Sequence, residues 1–376
     1  MNILIPTADY PPIEGGIATV TLQLSRELAA AGHAVTVVAP YFPGQEAFDA
    51  GEPMSVVRYR GYGLGWLRFF PMLAATLPHI RRADAIFGIN IAYGGLIGML
   101  ARGLFGKPYV TFGYGYEFLK FRRNPILGPL LRRAYRRSSL VVAISSFTRD
   151  RLEEFGVPAT LIETILPGAT KVEAQGAEEI EVVKRAYGLN GHRVVLAVGR
   201  MIPRKGHATL VRAMPKILEA HPNTVLVCAG RGPCMAETSR LAETLGVADH
   251  VRLPGYVPDD HTAALYSTCD VFALPTGEDA GGQVEGFGLV FAEAQAHGKP
   301  VVAGRSGGVT DAVIDGETGL LVPPDDPESL AESVVAFLDD PEKAALFGKR
   351  GRERVERELN WPHFTQRLLQ ALEERR

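Results

Sequence analysis

Three features of this 376-residue chain predict two successive parallel α/β domains. Short apolar runs alternate with longer amphipathic ones, the alternation restarts after a polar stretch near residues 171–181, and the length exceeds one ordinary core. The first strands are expected at residues 2–6, 34–40, 56–60, 85–89, 109–112 and 141–145, with helical patterns between them, as at 18–31 and 129–138. The second set is expected at 194–199, 223–230, 250–255, 270–275, 300–304 and 319–323. Strands this uniformly apolar suit a parallel sheet covered by helices on both faces. Three helical patterns follow Pro327, and the last, 361–376, is expected to pack back on the first domain. The expected architecture is therefore α/β, two Rossmann-like doubly wound domains, residues 1–170 and 171–360.

Composition narrows the function. Hydrophobic residues make up 46% and charged residues 22%, which excludes a wholly disordered, collagen-like or multi-span membrane chain. The net charge of −2 argues against nucleic acid as a partner. Cys228, Cys234 and Cys269 form neither a disulfide framework nor a zinc knuckle, so a cytoplasmic location with reduced thiols is expected. No basic n-region precedes the first apolar run, so no secretory signal is expected. The uncharged run 85–101 contains Asn90 and four glycines and reads as strand, turn and helix rather than a membrane span.

The small net charge hides an asymmetry. Residues 1–170 carry 17 basic and 12 acidic side chains. Residues 58–137 hold 14 basic ones against only Asp84 and Glu117. Trp66, Phe69 and Phe70 flank Arg68, and Phe69, Leu73, Thr76 and Ile80 recur at helical spacing before Arg81 and Arg82. Such a segment suits the interface of an anionic membrane, with the protein peripheral on its inner face; it also suits a helix packed in the core with solvated arginines.

Ligands of doubly wound sheets bind at the carboxyl ends of strands, so the loops there matter most. After the first strand, residues 7–16 end in Gly15-Gly16 at the start of an amphipathic helix, where backbone approaches a ligand and a helix terminus favours an anion. The spacing is not that of a dinucleotide oxidoreductase. After the strand at 194–199, Arg200 and Lys205 lie beside a helix start, a setting that suits a diphosphate and is also met in ordinary surface turns. The densest loop is 276–293. It carries Glu285 before a helix and Glu293 within it, glycines at 281, 282, 286 and 288, and backbone N–H groups at Phe287, Gly288 and Leu289. No Asp-x-Asp triplet or H-E-x-x-H occurs.

The string EGFGLVFAEAQAHGKPVVAGRSGG at 285–308 resembles the E-x7-E motif of retaining glycosyltransferases of the GT-B type. VGRMIPRKG at 198–206 resembles the diphosphate-binding segment of that group, and PPIEGGIATV and AAAGHAVTVVAP match it as well. The look is closest to bacterial mannosyltransferases. The resemblance implies two domains facing across a cleft, the first binding the acceptor and the second the nucleotide-sugar donor. It implies that Arg200 and Lys205 neutralise the leaving diphosphate, Glu285 contacts the donor sugar and Glu293 the ribose. Backbone at Gly16, Phe287, Gly288 and Leu289 would meet diphosphate or sugar, and the base would lie near Arg231, Gly232, Tyr256 and Val257. It further implies transfer of a hexose from a GDP- or UDP-linked donor to a glycan or lipid-linked acceptor, with no cofactor and no metal. One departure stands out: Tyr114 occupies the place of a histidine frequent in relatives, so Tyr114 or Glu117 would take up its contact. A nucleotide-sugar epimerase of the same fold and a non-catalytic sugar-binding protein are the alternatives.

Overall fold

The computed structural model describes residues 1–170, 172 and 175–375. They form two compact units, Met1–Pro167 with Trp361–Arg376, and Gly168–Asn360.

The first unit is a seven-stranded parallel sheet in the order β3-β2-β1-β4-β5-β6-β7. Its strands are β1 (Asn2–Pro6), β2 (Ala34–Pro40), β3 (Ser55–Tyr59), β4 (Ala85–Gly88), β5 (Tyr109–Gly113), β6 (Leu140–Ala143) and β7 (Ile162–Thr164). Strand β1 lies between β2 and β4, with Ile3 opposite Val35 on one side and Ala85 on the other, so the strand order reverses there. Ile3, Leu4 and Ile5 are buried, as a strand covered on both faces requires. Strand β7 lies outside the six expected strands. Its three residues, Ile-Glu-Thr, are too few to show a period and form a strand by pairing with Val141–Ala143.

Helix Gly16–Ala30 buries Val20, Leu24 and Leu28, one stripe at spacing four. Helix Trp361–Glu373 packs against it through a stripe of its own, Phe364, Leu368 and Leu372. Helix Phe69–Ile80 differs from the membrane-facing expectation. Its buried residues are Met72, Thr76 and Ile80, with Phe69 and Leu73 packed against the same core cluster. That stripe covers the sheet, and the exposed apolar groups are instead Phe70 and Leu77, beside Leu64, Trp66 and Leu67 in the preceding turn.

The second unit is a six-stranded parallel sheet, β10-β9-β8-β11-β12-β13. It consists of β8 (Arg193–Val198), β9 (Thr224–Ala229), β10 (Val251–Gly255), β11 (Val271–Leu274), β12 (Val301–Gly304) and β13 (Leu320–Val322). Strand order reverses between β8 and β11, which places the loops 199–206 and 275–288 at the switch point. The last loop leads into helix Leu289–Ala296.

Candidate active site

In the second unit, glycines pack the loops closely. Gly206 has φ +72°, and a Cβ there would lie 2.3 Å from the Pro275 carbonyl oxygen. This left-handed residue ends the short turn Pro203–Lys205 and starts helix His207–Ala220. The Gly277 N–H donates to the Arg204 carbonyl at 2.8 Å, binding the β8 and β11 loops together. Arg204 and Lys205 are thereby aimed at Glu285. An Arg204 guanidinium nitrogen and Lys205 Nζ each lie 2.7 Å from Glu285 Oε2.

Backbone from the β12 loop fixes Glu285 in turn. The Gly308 N–H donates to its carbonyl at 2.8 Å, and Gly307, at φ +53°, leaves a Cβ only 2.3 Å from that oxygen. Burial raises the carboxyl's pKa, but the Lys205 and Arg204 charges outweigh it and hold Glu285 down at about 2. The group is an anion at every physiological pH. Its Oε1 accepts no bond among the described residues.

Two cations on one carboxylate leave a largely buried net positive charge, an arrangement that a further anion completes. The N–H groups of Phe287, Gly288 and Leu289 add to it, since none donates to a protein acceptor among the described residues. Gly288 caps helix Leu289–Ala296 at φ +90°, where a Cβ would sit 2.5 Å from the Phe291 ring. His207 is buried with both ring nitrogens unpartnered among the described residues, and burial and the Lys205 charge lower its pKa to about 4. It is therefore neutral and leaves the positive charge on Lys205 and Arg204.

Glu293 lies beyond this group on the helix, accepting from the Tyr266 hydroxyl at 2.8 Å. Burial raises its pKa, while the tyrosine bond and the Lys205 charge oppose the rise. Arg200 is exposed, and its guanidinium makes no ion pair among the described residues. Arg231 lies over the Tyr256 ring, and Val257 is buried beside it in sequence. Gly232 is held against Met201, whose carbonyl oxygen would be 2.2 Å from a Cβ there.

The first unit gathers polar groups at its own strand ends. Asn90 Nδ2 donates to Asp9 at 2.8 Å, and Asn90 Oδ1 accepts from the Ala8 N–H at 2.7 Å. Burial raises the Asp9 pKa against the Asn90 bond and the Arg68 charge. The Arg68 guanidinium lies 4.4 Å from the Tyr93 ring centroid and 5.1 Å from that of Tyr62. Arg68 Nε, the Tyr59 hydroxyl and the Tyr114 hydroxyl are buried without partners among the described residues. Glu117 accepts from the Tyr114 N–H at 2.7 Å. Burial raises its carboxyl to about 7 against the bond from the Tyr114 backbone. Gly16 is exposed at the first turn of its helix, behind Gly15 at φ +144°.

The structure thus brings Lys205 and Glu285 together and adds Arg204, which the sequence reading passed over for Arg200. Asp9, Arg68 and Asn90 were missed as well. Asn90 carried a usable signal, being a lone amide at a strand end inside an uncharged run.

Two doubly wound parallel units are the architecture of GT-B glycosyltransferases, a class that draws on nucleotide-linked sugars. Residues 179–354 match the model of the "Glycosyl transferases group 1" family, and residues 14–170 that of "Glycosyltransferase Family 4". The chain is 32% identical over 379 residues to the GDP-mannose-dependent alpha-(1-6)-phosphatidylinositol monomannoside mannosyltransferase of Mycolicibacterium smegmatis, covering 100% of this chain and 99% of that protein. The chain belongs to this family of glycosyltransferases. Anabaena Alr3699/HepE, solved with UDP-glucose, superposes with a TM-score of 0.82 at 20% identity over the whole of both chains. The sucrose-phosphate synthase of Thermosynechococcus elongatus does so at 0.81 and 26% identity, over 99% of this chain and 98% of that one.

Proposed function

We propose that this glycosyltransferase moves mannose from GDP-mannose to a hydroxyl of an inositol phospholipid or its mannoside, with retention of anomeric configuration and without a metal ion. The observation that carries the reading is Glu285 held between Arg204 and Lys205 beside the N–H groups of residues 287–289, which are unpaired among the described residues. In this reading Lys205 and Arg204, with Arg200 reaching in from the exposed loop, bind the donor diphosphate. They stabilise the charge that grows on it as the sugar–phosphate bond breaks, the stage at which added binding speeds reaction. The N–H groups of Phe287, Gly288 and Leu289 meet phosphate oxygens, the free Oε1 of Glu285 accepts from a sugar hydroxyl, and Glu293 holds the ribose. The GDP and mannose assignments rest on the curated relatives, whose names give GDP-mannose as donor and phosphatidylinositol mannosides as acceptor.

The first unit takes the acceptor. Arg68, half-buried with an Nε unpartnered among the described residues, suits the acceptor phosphate, and Asp9, Asn90, Tyr59 and Tyr114 offer bonds to polyol hydroxyls. Leu64, Trp66, Leu67 and Phe70 rest in the headgroup region of an anionic bilayer, with Arg81 and Arg82 following them. Among the described residues no helix is long and apolar enough to cross a membrane. This association is accordingly peripheral.

The test is transfer of labelled mannose from GDP-mannose to phosphatidylinositol or its monomannoside, with and without EDTA, and product anomeric configuration by NMR. Glu285→Gln should fold and lose nearly all transfer. Near-normal turnover of that variant, an inverted product, or loss of activity in EDTA restored by Mg²⁺ would each overturn its part of the reading.

A further inference from the structure

We infer that Arg231 selects the nucleobase of the donor, forking its guanidinium onto O6 and N7 of guanine while Tyr256 holds it in place. This rests on the GDP-linked donor proposed above and deepens it.

Four observations point there. Glu285, Lys205, Arg231 and Tyr256 follow β11, β8, β9 and β10, four neighbouring strands in that spatial order. Adjacent strands lie about 4.8 Å apart, so a ligand with its sugar at Glu285 and its diphosphate at Lys205 brings its base to the β9 and β10 loops. These loops are fixed to the diphosphate loop. The Met201 N–H donates to the Arg231 carbonyl at 2.8 Å, and the Gly230 N–H donates to the Gly255 carbonyl at 2.8 Å. The Arg231 guanidinium carbon lies 5.0 Å from the Tyr256 ring centroid, and that ring is 45% exposed. Among the described residues Arg231 has no carboxylate partner.

A planar guanidinium resting on a ring is oriented, and its donors point outward. Guanine presents two adjacent acceptors, O6 and N7, which match that fork. Uracil has no counterpart of N7, and adenine places an amino donor where guanine has O6. The same contact therefore favours guanine over both.

The experiment measures binding of free GDP, UDP and ADP to the full chain by calorimetry. The wild type should bind GDP most tightly. Arg231→Ala should weaken GDP about tenfold and UDP less than about threefold. Arg231→Lys should not restore the difference, because an ammonium cannot fork. Tyr256→Phe, which keeps the ring, should behave as wild type, and Tyr256→Ala should lose part of the preference. Equal weakening of GDP and UDP in Arg231→Ala would mean that the charge acts only on the shared diphosphate, and would overturn the inference. A wild-type preference for GDP that survives Arg231→Ala would overturn the inference and leave the donor assignment standing. A wild type with no preference would overturn the donor assignment and the inference with it.

Discussion

Lys205 and Arg204 meet on a single oxygen of Glu285, and that geometry sets what each substitution should do. In the proposed reaction both cations act on charge that develops after binding. Lys205→Ala and Arg204→Ala should therefore lower kcat by about 10²-fold while leaving acceptor KM near its wild-type value. Arg200→Ala should fall in the same parameter, by less, because its guanidinium is exposed and screened. Steady-state kinetics with both substrates varied checks this; a change confined to acceptor KM would remove these residues from the diphosphate. Glu117 gives a separate test. Burial raises its carboxyl from 4.5 in the unfolded chain to about 7 in the folded one. Between those values the folded chain binds more protons than the unfolded chain, so this group's contribution to stability falls as pH rises. The total is about 3 kcal/mol. Glu117→Gln should lack that decline, and urea unfolding of the two proteins between pH 4.5 and 8 would show their curves converging or staying parallel.

Loop geometry decides the site at the level of elements. Gly206 is constrained twice, by φ +72° and by the Pro275 carbonyl at 2.3 Å from any Cβ. Gly191 has a similar φ of +80° with nothing within 4 Å of a Cβ. Gly191→Ala should cost only the left-handed strain, about 1 kcal/mol. Gly206→Ala should cost well above that and also lower activity, because the turn Pro203–Lys205 that presents both cations would shift. Thermal unfolding with an activity assay tests the pair; equal losses at the two positions would mean that the Pro275 contact carries no weight.

For the whole molecule, the proposed peripheral membrane binding follows from how the first unit folds. Helix Phe69–Ile80 turns Met72, Thr76 and Ile80 to the core, so Trp66 at 73% and Phe70 at 57% exposure remain to enter a headgroup layer. Co-sedimentation with anionic vesicles should succeed at low salt and fade as salt rises, since each nearby Lys or Arg contributes about 1 kcal/mol that ions screen. Trp66→Ser with Phe70→Ser should weaken binding to the same vesicles without changing GDP affinity. Absence of binding at low salt would make a soluble acceptor the better reading.

The doubly wound class, the positions of the longer strands and the glycine-rich loops 199–206 and 276–293 were legible in the amino-acid sequence. Strands buried on both faces must be apolar almost throughout, and the glycines that let loops pack closely stand out against them. Strand β7 was not legible, because three residues have no periodicity and exist as a strand only through their neighbour. Residue types and spacing likewise marked Lys205 and Glu285, but not which second cation joins them. Arg200 and Arg204 are alike in sequence, and only the turn ending at Gly206, anchored to the β11 loop, directs Arg204 inward and leaves Arg200 exposed. The Asp9–Asn90 pair, 81 residues apart, exists only because β1 and β4 are neighbours in the sheet. Burial pattern and glycine placement are properties of a local segment and survive in the sequence; the direction of a side chain depends on contacts between distant segments, and tertiary structure alone sets it.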